Sequence, residues 1–141
     1  MTRDEILAME AGRELDALVA ERVMGLDVVM NPESAMCVGC RVSGGGAWVV
    51  IEYDYHEWGH KVVRPLPYST DIAAAWEVVE KLEADGIGRL ELVRLGWDWN
   101  RVWRATFFST ALTEGVTGKA DTAPLAICLA ALLAAMEAED D

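Results

Sequence analysis

The apolar positions in the first 25 residues recur at the spacing of a helix. Thr2 and Glu5 form a capping box, in which each side chain accepts the free backbone N–H of the other residue, so a short helix can begin at once. Gly12 interrupts this helix. A second, amphipathic helix follows up to Gly25, which suits the left-handed position after a helix end. Its apolar stripe consists of Leu15, Leu18, Val19 and Val23.

The segment after residue 66 predicts another amphipathic helix. Pro67 precedes a Ser69–Thr70 cap, Asp71 lies in the first turn, and the apolar stripe ends before Gly86. The stripe consists of Ile72, Ala75, Trp76, Val79 and Leu82. We expect these side chains to pack against a sheet.

A final helix is predicted from residue 122 to residue 136. Thr122 is the predicted cap, and Pro124 lies in the first turn, where the N–H that proline lacks has no partner in any case. Leucines, Cys128 and Met136 are interspersed with alanines, so the segment is apolar nearly all round. It should therefore be the most buried helix of the fold.

Residues 47–55 carry the first strand signal, because they are mostly β-branched and aromatic. The glycines at 44–46 allow a tight turn from a preceding strand near 38–42, so a hairpin is predicted there. Polar residues and glycines at 31–35 and 109–120 are interpreted as loops within the domain.

A second hairpin is predicted from strands at 89–97 and 101–108, joined by a short loop at Asp98, Trp99 and Asn100. The order is then helix, strands, helix, hairpin, helix, which predicts an α+β fold with a mainly antiparallel sheet. The 141 residues, 52% of them hydrophobic, are expected to form a single domain, 1–141, with a core that needs no disulfides.

The charge of the chain restricts its partners. It has 24 acidic and 12 basic residues, a formal net charge of -12 and a pI of about 4.5. Such a chain is repelled by duplex nucleic acid and by anionic membrane surfaces, so neither is expected as a partner.

The protein is predicted to remain in the cytoplasm. Its first residues lack the basic and apolar regions of a secretory signal. The longest apolar segment, 123–136, is shorter than the roughly 18 to 20 residues that span a bilayer. Three cysteines, an odd number, favour reduced thiols or metal ligands over a disulfide framework.

Two pairs of residues have the spacing of a zinc site. Cys37 and Cys40 are separated by two residues, and His56 and His60 by three, so two thiolates and two imidazoles can close a tetrahedral structural site. In the alternative interpretation these are free side chains of a loop with no metal. His56 to His60 also matches the metalloprotease string H-E-x-x-H, but Gly59 disfavours the helix that this chemistry requires, so the match is interpreted as coincidence.

The second predicted site is a concentration of positive charge in the hairpin at 89–108. Guanidinium groups and indole rings suit a phosphate-bearing nucleotide. The residues are Arg89, Arg94, Arg101, Arg104, Trp97, Trp99 and Trp103. If the loop is the three residues at 98–100, Arg94 and Arg104 lie opposite each other on one face, whereas a two-residue loop removes that pairing. In the alternative interpretation the arginines form ion pairs with the acidic helices and the tryptophans fill the core.

Three stretches carry a family resemblance: ILAMEAGRELDALVAERVMG at 6–25, PYSTDIAAAWEVVEK at 67–81 and TAPLAIC at 122–128. Together they resemble the small bacteriophage and prophage proteins with a phage ABA sandwich domain. The resemblance implies a three-layer α/β/α sandwich and an accessory protein that acts in the cytoplasm of the infected bacterial host. It implies no activity and no catalytic or cofactor-binding residue.

These features favour a protein that binds its target stoichiometrically over an enzyme. The first hypothesis is capture of a nucleotide-derived host defence signal by the arginines and tryptophans of the second hairpin. The second is an acidic inhibitor of a host protein. A zinc-dependent hydrolase at the loop of His56 and His60 is the alternative from another class. A homo-oligomer with an exposed apolar patch would indicate a role in a phage assembly.

Overall fold

A computed structural model describes residues 2–30, 48–54, 59–63, 65–96, 101–108 and 115–139. In these residues four helices and six strands follow one another along the chain: α1 (Arg3–Leu7), α2 (Arg13–Arg22), β1 (Asp27–Met30), β2 (Trp48–Asp54), β3 (Gly59–Val63), α3 (Ile72–Ala84), β4 (Arg89–Leu95), β5 (Val102–Phe108), β6 (Val116–Ala120) and α4 (Ala123–Glu139). The predicted α+β class is confirmed.

The described strands form two antiparallel three-stranded sheets, with the orders β1-β2-β3 and β4-β5-β6. The strand predicted near 38–42 lies outside the described residues. The partners found for β2 are β1 and β3, and the sequence pattern predicted neither of these strands. The loop predicted at 109–120 is wrong at its end, because 116–120 form strand β6. Polar and glycine residues suggested a loop there, yet Val116 and Gly118 are buried, and the strand packs against α4.

The start of α1 and the turn after α2 follow the sequence signals. The Glu5 N–H donates to Thr2 Oγ1 at 3.3 Å, and the Thr2 N–H donates to Glu5 Oε2 at 2.7 Å, which confirms the capping box. The second of these hydrogen bonds lowers the pKa of Glu5. After α2 the chain turns at Gly25, whose φ of 70° is left-handed, as predicted.

The predicted start of α3 is shifted by one residue. Asp71, rather than Ser69–Thr70, is the N-cap, and its carboxylate accepts the Ala73 N–H at 2.8 Å. Ser69 is instead fully buried and contacts α2.

The predicted apolar stripe of α3 is partly wrong. Ile72 and Trp76 are 50% and 49% exposed, while the buried side carries Ala74, Ala75, Val78, Val79 and Leu82. The reason is the partner of this helix: α3 packs mainly against the alanine-rich α4 and less against β4. The side of α3 that faces α4 therefore carries smaller side chains than the predicted stripe.

Helix α4 occupies the centre of the core, as its composition predicts. All residues from Ala126 to Ala135 are buried, and α4 contacts β5, β6 and each of the other three helices. At Gly118 of β6 the contact is between backbones, since a Cβ there would lie 2.6 Å from Ala130 N and 2.8 Å from Ala126 O. Among the described helices none is both long and apolar enough to cross a membrane.

Candidate functional site

The register of β4 with β5 assigns the predicted arginines to faces of the sheet. Arg94 lies opposite Trp103, and Arg104 lies opposite Val93. Because neighbouring residues of a strand point to opposite faces, Arg94 and Arg104 lie on different faces. The facing pair predicted for a three-residue loop is therefore wrong. A three-residue loop would place an odd number of residues between the two members of each facing pair, whereas the observed register has an even number. The partner of each β4 residue is therefore one position earlier in β5 than predicted.

Arg94 is exposed, but in the register it lies on the face of the sheet whose β5 and β6 residues pack against α4. This inner face also carries Ala105 and Phe107 of β5, which are fully buried. The Arg94 Cζ lies 5.7 Å from the centroid of the Trp103 ring, within the range of a cation–π contact. Trp103 itself is partly buried against the core. For these two residues the arrangement agrees with the alternative in which the tryptophan fills the core.

The other face of the sheet, here called the outer face, is defined by the register. It carries Arg89, Glu91, Val93, Leu95, Val102, Arg104, Thr106, Phe108, Thr117 and Lys119. The two helices that contact this sheet most, α4 and α3, supply residues to the core that includes the inner-face side chains. The outer face is therefore the side of the sheet that these two helices do not cover.

Two cations lie opposite each other on the outer face. Arg104 of β5 is paired with Lys119 of β6 in the register, so a like-charge pair does exist in this sheet, with a partner that the sequence did not indicate. Glu91 Oε1 lies 3.9 Å from Arg104 Nη2, in a long ion pair between partly exposed side chains that stabilises little. In the part of the chain that the structure describes, Lys119 has no ion-pair partner.

Two hydroxyls and an aromatic ring continue the outer face from this pair. Thr106 and Thr117 are the next facing residues, and their hydroxyl oxygens lie 3.0 Å apart. Beyond them Phe108 is 43% exposed. Its ring lies against Gly115, where a Cβ would come within 2.9 Å of Phe108 Cδ1 and Cε1, so a glycine with a φ of 73° is needed there.

The remaining predicted ligand residues do not all lie at one place, and two of them are outside the described residues. Arg89 is exposed on the outer face, opposite Phe108 in β4 and β5. Arg101 is exposed just before β5. Trp97 and Trp99 lie outside the described residues. The outer face thus brings together Arg89 and Arg104 with three residues that sequence reasoning missed: Thr117, Phe108 and Lys119. The register, once known, is the signal that would have found them.

The predicted zinc ligands lie mostly beyond the described part of the chain. Cys37, Cys40 and His56 are outside the described residues. His60 is in β3, opposite Tyr53 of β2. A strand at this histidine is incompatible with the helical placement that the H-E-x-x-H string requires. Within the described ranges no group of three or more His, Cys, Asp or Glu residues could hold a metal ion.

A buried polar cluster joins α2 to the segment before α3. The Ser69 N–H and hydroxyl both donate to Asp16 Oδ1, at 2.8 and 2.6 Å, and the Gly12 N–H donates to Ser69 Oγ at 3.0 Å. Asp16 is 6% exposed and Ser69 is not exposed at all. Because every polar atom named here has a partner inside the protein, the cluster is structural: it holds the start of α3 against α2.

Burial also changes the acidity of two side chains near this cluster. Desolvation raises the pKa of Tyr68 to about 12, and the Glu77, Asp16 and Cys128 charges add to the rise. Desolvation, and then the Asp16 carboxylate, raise the pKa of the Cys128 thiol well above its usual value. A thiol that stays protonated is a poor nucleophile, so Cys128 is a packing residue of α4.

Comparison with known proteins identifies the family. Neither the curated proteins nor the solved structures gave a match. The family model described as "Phage ABA sandwich domain" matches residues 17–132, which is well over half of the chain and spans α2 to α4. That description agrees with the three-layer sandwich that the resemblance implies. The chain therefore belongs to the phage ABA sandwich domain family.

Proposed function

We propose that this protein acts by stoichiometric capture of a phosphate-bearing small molecule on the outer face of β4–β6, and that the molecule is a nucleotide-derived host defence signal. The observation that carries the proposal is the pair of Arg104 and Lys119, which lie directly opposite each other on neighbouring strands. Like charges in this position cost stability unless an anion lies between them.

The charge of the sheet contrasts with that of the whole chain. Strands β4 to β6 carry four basic residues and one acidic residue, in a chain with twice as many acidic as basic residues. Only one of the four, Arg94, lies on the inner face. The outer face is thus a local positive region that attracts a small anion, while the acidic remainder of the surface repels large polyanions.

Each part of the outer face matches a part of a nucleotide. The Arg104 guanidinium can form two parallel hydrogen bonds with a phosphate, and the Lys119 ammonium adds a compact positive charge. The Thr117 hydroxyl lies in the next row and can donate to the same group. The exposed ring of Phe108 can stack on a base. Phe108 is four positions along β5 from Arg104, roughly 13 Å, a length that a nucleotide with more than one phosphate covers.

Family membership supports the biological part of the proposal. A phage protein in the cytoplasm of an infected host gains from removing a signal that activates defence, and removal needs affinity without covalent chemistry. Capture of this kind requires about one protein per signal molecule, which suits a small domain.

The test is isothermal titration of the purified chain with cyclic dinucleotides and ADP-ribose, with inorganic pyrophosphate as the probe for phosphate recognition alone. We expect at least one nucleotide to bind near one per chain. The double variant R104A/K119A should weaken that binding by a factor of ten or more, in line with the loss of charge-assisted hydrogen bonds.

The matched control is Arg94→Ala, which removes an arginine from the same hairpin but from the inner face. It should leave nucleotide affinity within a factor of two of the parent. The proposal fails if the parent binds none of the probes, or if R104A/K119A binds as tightly as the parent.

A further inference from the structure

Helix α3 presents its bulkiest apolar side chains to solvent. Ile72 and Trp76 are about half exposed, whereas the side that packs on α4 carries alanines, valines and a leucine. The two residues are four positions apart, so their side chains are neighbours on the helix surface. Single exposed apolar residues are ordinary, but an adjacent pair that includes a tryptophan is the composition of an interaction surface.

The same side of α3 becomes acidic toward its C-terminal end. At 100° per residue, Ile72, Trp76, Glu80 and Glu83 fall within an arc of roughly 80°, and these four residues are here called the α3 stripe. Both glutamates are exposed. The only basic residue of the helix, Lys81, is half-buried and pairs with Asp85 at 3.1 Å. The carboxylates of the stripe are therefore not neutralised by the cation of their own helix.

We infer that the α3 stripe is a docking surface for a partner protein that presents an apolar pocket beside a cluster of lysines or arginines. The occupant follows from charge complementarity. The glutamates repel nucleic acid and anionic lipid, which leaves a protein as the macromolecule. A second copy of this chain docked through the same stripe would bring glutamates against glutamates, so a basic partner is favoured.

The helix sets the dimensions of the complementary surface. Trp76 is about 6 Å along the axis from Glu80 and about 10.5 Å from Glu83. The partner therefore needs basic side chains within one to two helical turns of the pocket that receives the indole. A tryptophan that fills such a pocket commonly supplies a large share of the binding free energy.

This surface is separate from the outer face of β4–β6. Helix α3 contributes its buried side chains to the core, which also includes the inner face of that sheet. Loss of nucleotide capture would therefore leave the docking inference standing, and the reverse also holds.

The first step of the test is photo-crosslinking with benzoylphenylalanine in place of Ile72, which leaves Trp76 intact, in the full chain within phage-infected bacteria. The matched control has the same group in place of Leu26, which is 39% exposed and precedes β1. We expect a host or phage protein to crosslink from position 72 and not from position 26. A crosslink to a second copy of the chain, or none from position 72, overturns the inference.

The second step uses the captured protein in purified form with the parent chain. Trp76→Ala should weaken binding at least tenfold, as expected for a central anchor. The variant E80Q/E83Q should weaken it several-fold and reduce its dependence on salt. E80Q/E83Q should melt within 2 °C or so of the parent, because both glutamates are exposed. Trp76→Ala loses the contacts of a half-buried indole, so its binding is compared at a temperature at which circular dichroism shows it folded. Binding that is unchanged in Trp76→Ala, or that strengthens in E80Q/E83Q, contradicts the inference.

Discussion

At the scale of single residues, the Asp16 carboxylate connects parts of the chain that are far apart in sequence. It accepts two hydrogen bonds from Ser69, which is 53 positions away, and both residues are buried. Removal of the carboxylate would leave the buried Ser69 N–H without an acceptor and would remove the shorter of the two hydrogen bonds that the Ser69 hydroxyl donates, while the bonds between this hydroxyl and Gly12 remain.

Asp16→Ala should therefore lower the free energy of unfolding by about 2 to 4 kcal/mol, since the unsatisfied N–H costs about 1 to 3 kcal/mol and the lost hydrogen bond of the hydroxyl adds about 1 kcal/mol. Urea denaturation followed by circular dichroism measures the change. Asp71→Ala is the control: it removes an exposed N-cap and should cost about 1 kcal/mol. Equal losses of free energy in the two variants would show that the buried cluster stabilises the fold no more than an exposed N-cap does.

The burial of Tyr68 leads to a prediction of how stability changes at alkaline pH. The pKa of Tyr68 is about 12 in the folded protein, against 10 as the ordinary value, so the folded state holds the phenol in its neutral form. The stability that this contributes is fully present below pH 10 and is lost as the pH rises from 10 toward 12. The raised pKa of Cys128 acts in the same direction from about pH 9 upward.

The midpoint of urea unfolding, measured from pH 8 to pH 11, should therefore fall above pH 9. In Tyr68→Phe the part of the decline above pH 10 should become shallower, because the titrating group is gone. A decline that is identical in Tyr68→Phe and in the parent would contradict the assignment of this effect to Tyr68.

At the scale of secondary-structure elements, Gly118 allows β6 and α4 to approach each other through their backbones. A Cβ at this position would meet backbone atoms of Ala130 and Ala126 at 2.6 and 2.8 Å, and backbone atoms cannot move aside as a side-chain end can.

Gly118→Ala should cost about 3 kcal/mol or more, because the strand and the helix must separate to fit one methyl group. Thermal and urea unfolding measure the loss. Gly86→Ala is the matched control, since Gly86 has a φ of 72° and open space around it, and its cost should be only the strain of about 1 to 2 kcal/mol. A smaller loss at Gly118 than at Gly86 would contradict the close packing.

The elements of this fold could be predicted from the sequence wherever the determining residues are local. Thr2 and Glu5 cap α1 within a single turn, and Gly25 turns the chain after α2, as their residue types indicate. The composition of α4 predicted its burial for the same reason. Where a partner element decides, the sequence pattern was insufficient: Trp76 belongs to an apolar periodicity, yet its exposure depends on which side of α3 meets α4.

The candidate site shows the same division more sharply. The hairpin of β4 and β5 was predicted, but its register was not, because an even or odd number of loop residues satisfies the strand pattern equally well. A shift of one residue between β4 and β5 decides whether Arg104 lies on the same face as Arg94. In the observed register the two lie on different faces, and Arg104 is opposite Lys119 of β6. Lys119 itself could not be included, since β6 pairs with β5 through a segment whose glycine and polar residues indicate a loop.

At the scale of the whole molecule, charge and apolar surface are distributed over separate faces. The outer face of β4–β6 carries an excess of positive charge, and the α3 stripe combines exposed apolar and acidic side chains. Between them lies a core built around α4. The two proposals thus assign a small anion to one surface and a basic protein to the other, so that the two can bind independently.

The claim on which this account depends is that Arg104 and Lys119 repel each other until an anion lies between them. Lys119→Gln therefore has opposite effects on folding and on binding. Without ligand the variant should be more stable than the parent, by about 0.2 to 1 kcal/mol, because a like-charge cross-strand pair has been removed.

The most direct measurement is the free energy of unfolding of both proteins, with and without the nucleotide that the titrations identify, at one hundred times its Kd for the parent. The parent should gain about 2.7 kcal/mol from the ligand, and Lys119→Gln should start higher and gain at least 1 kcal/mol less. If Lys119→Gln is no more stable than the parent and gains as much from the ligand, the outer face of β4–β6 is not the binding site.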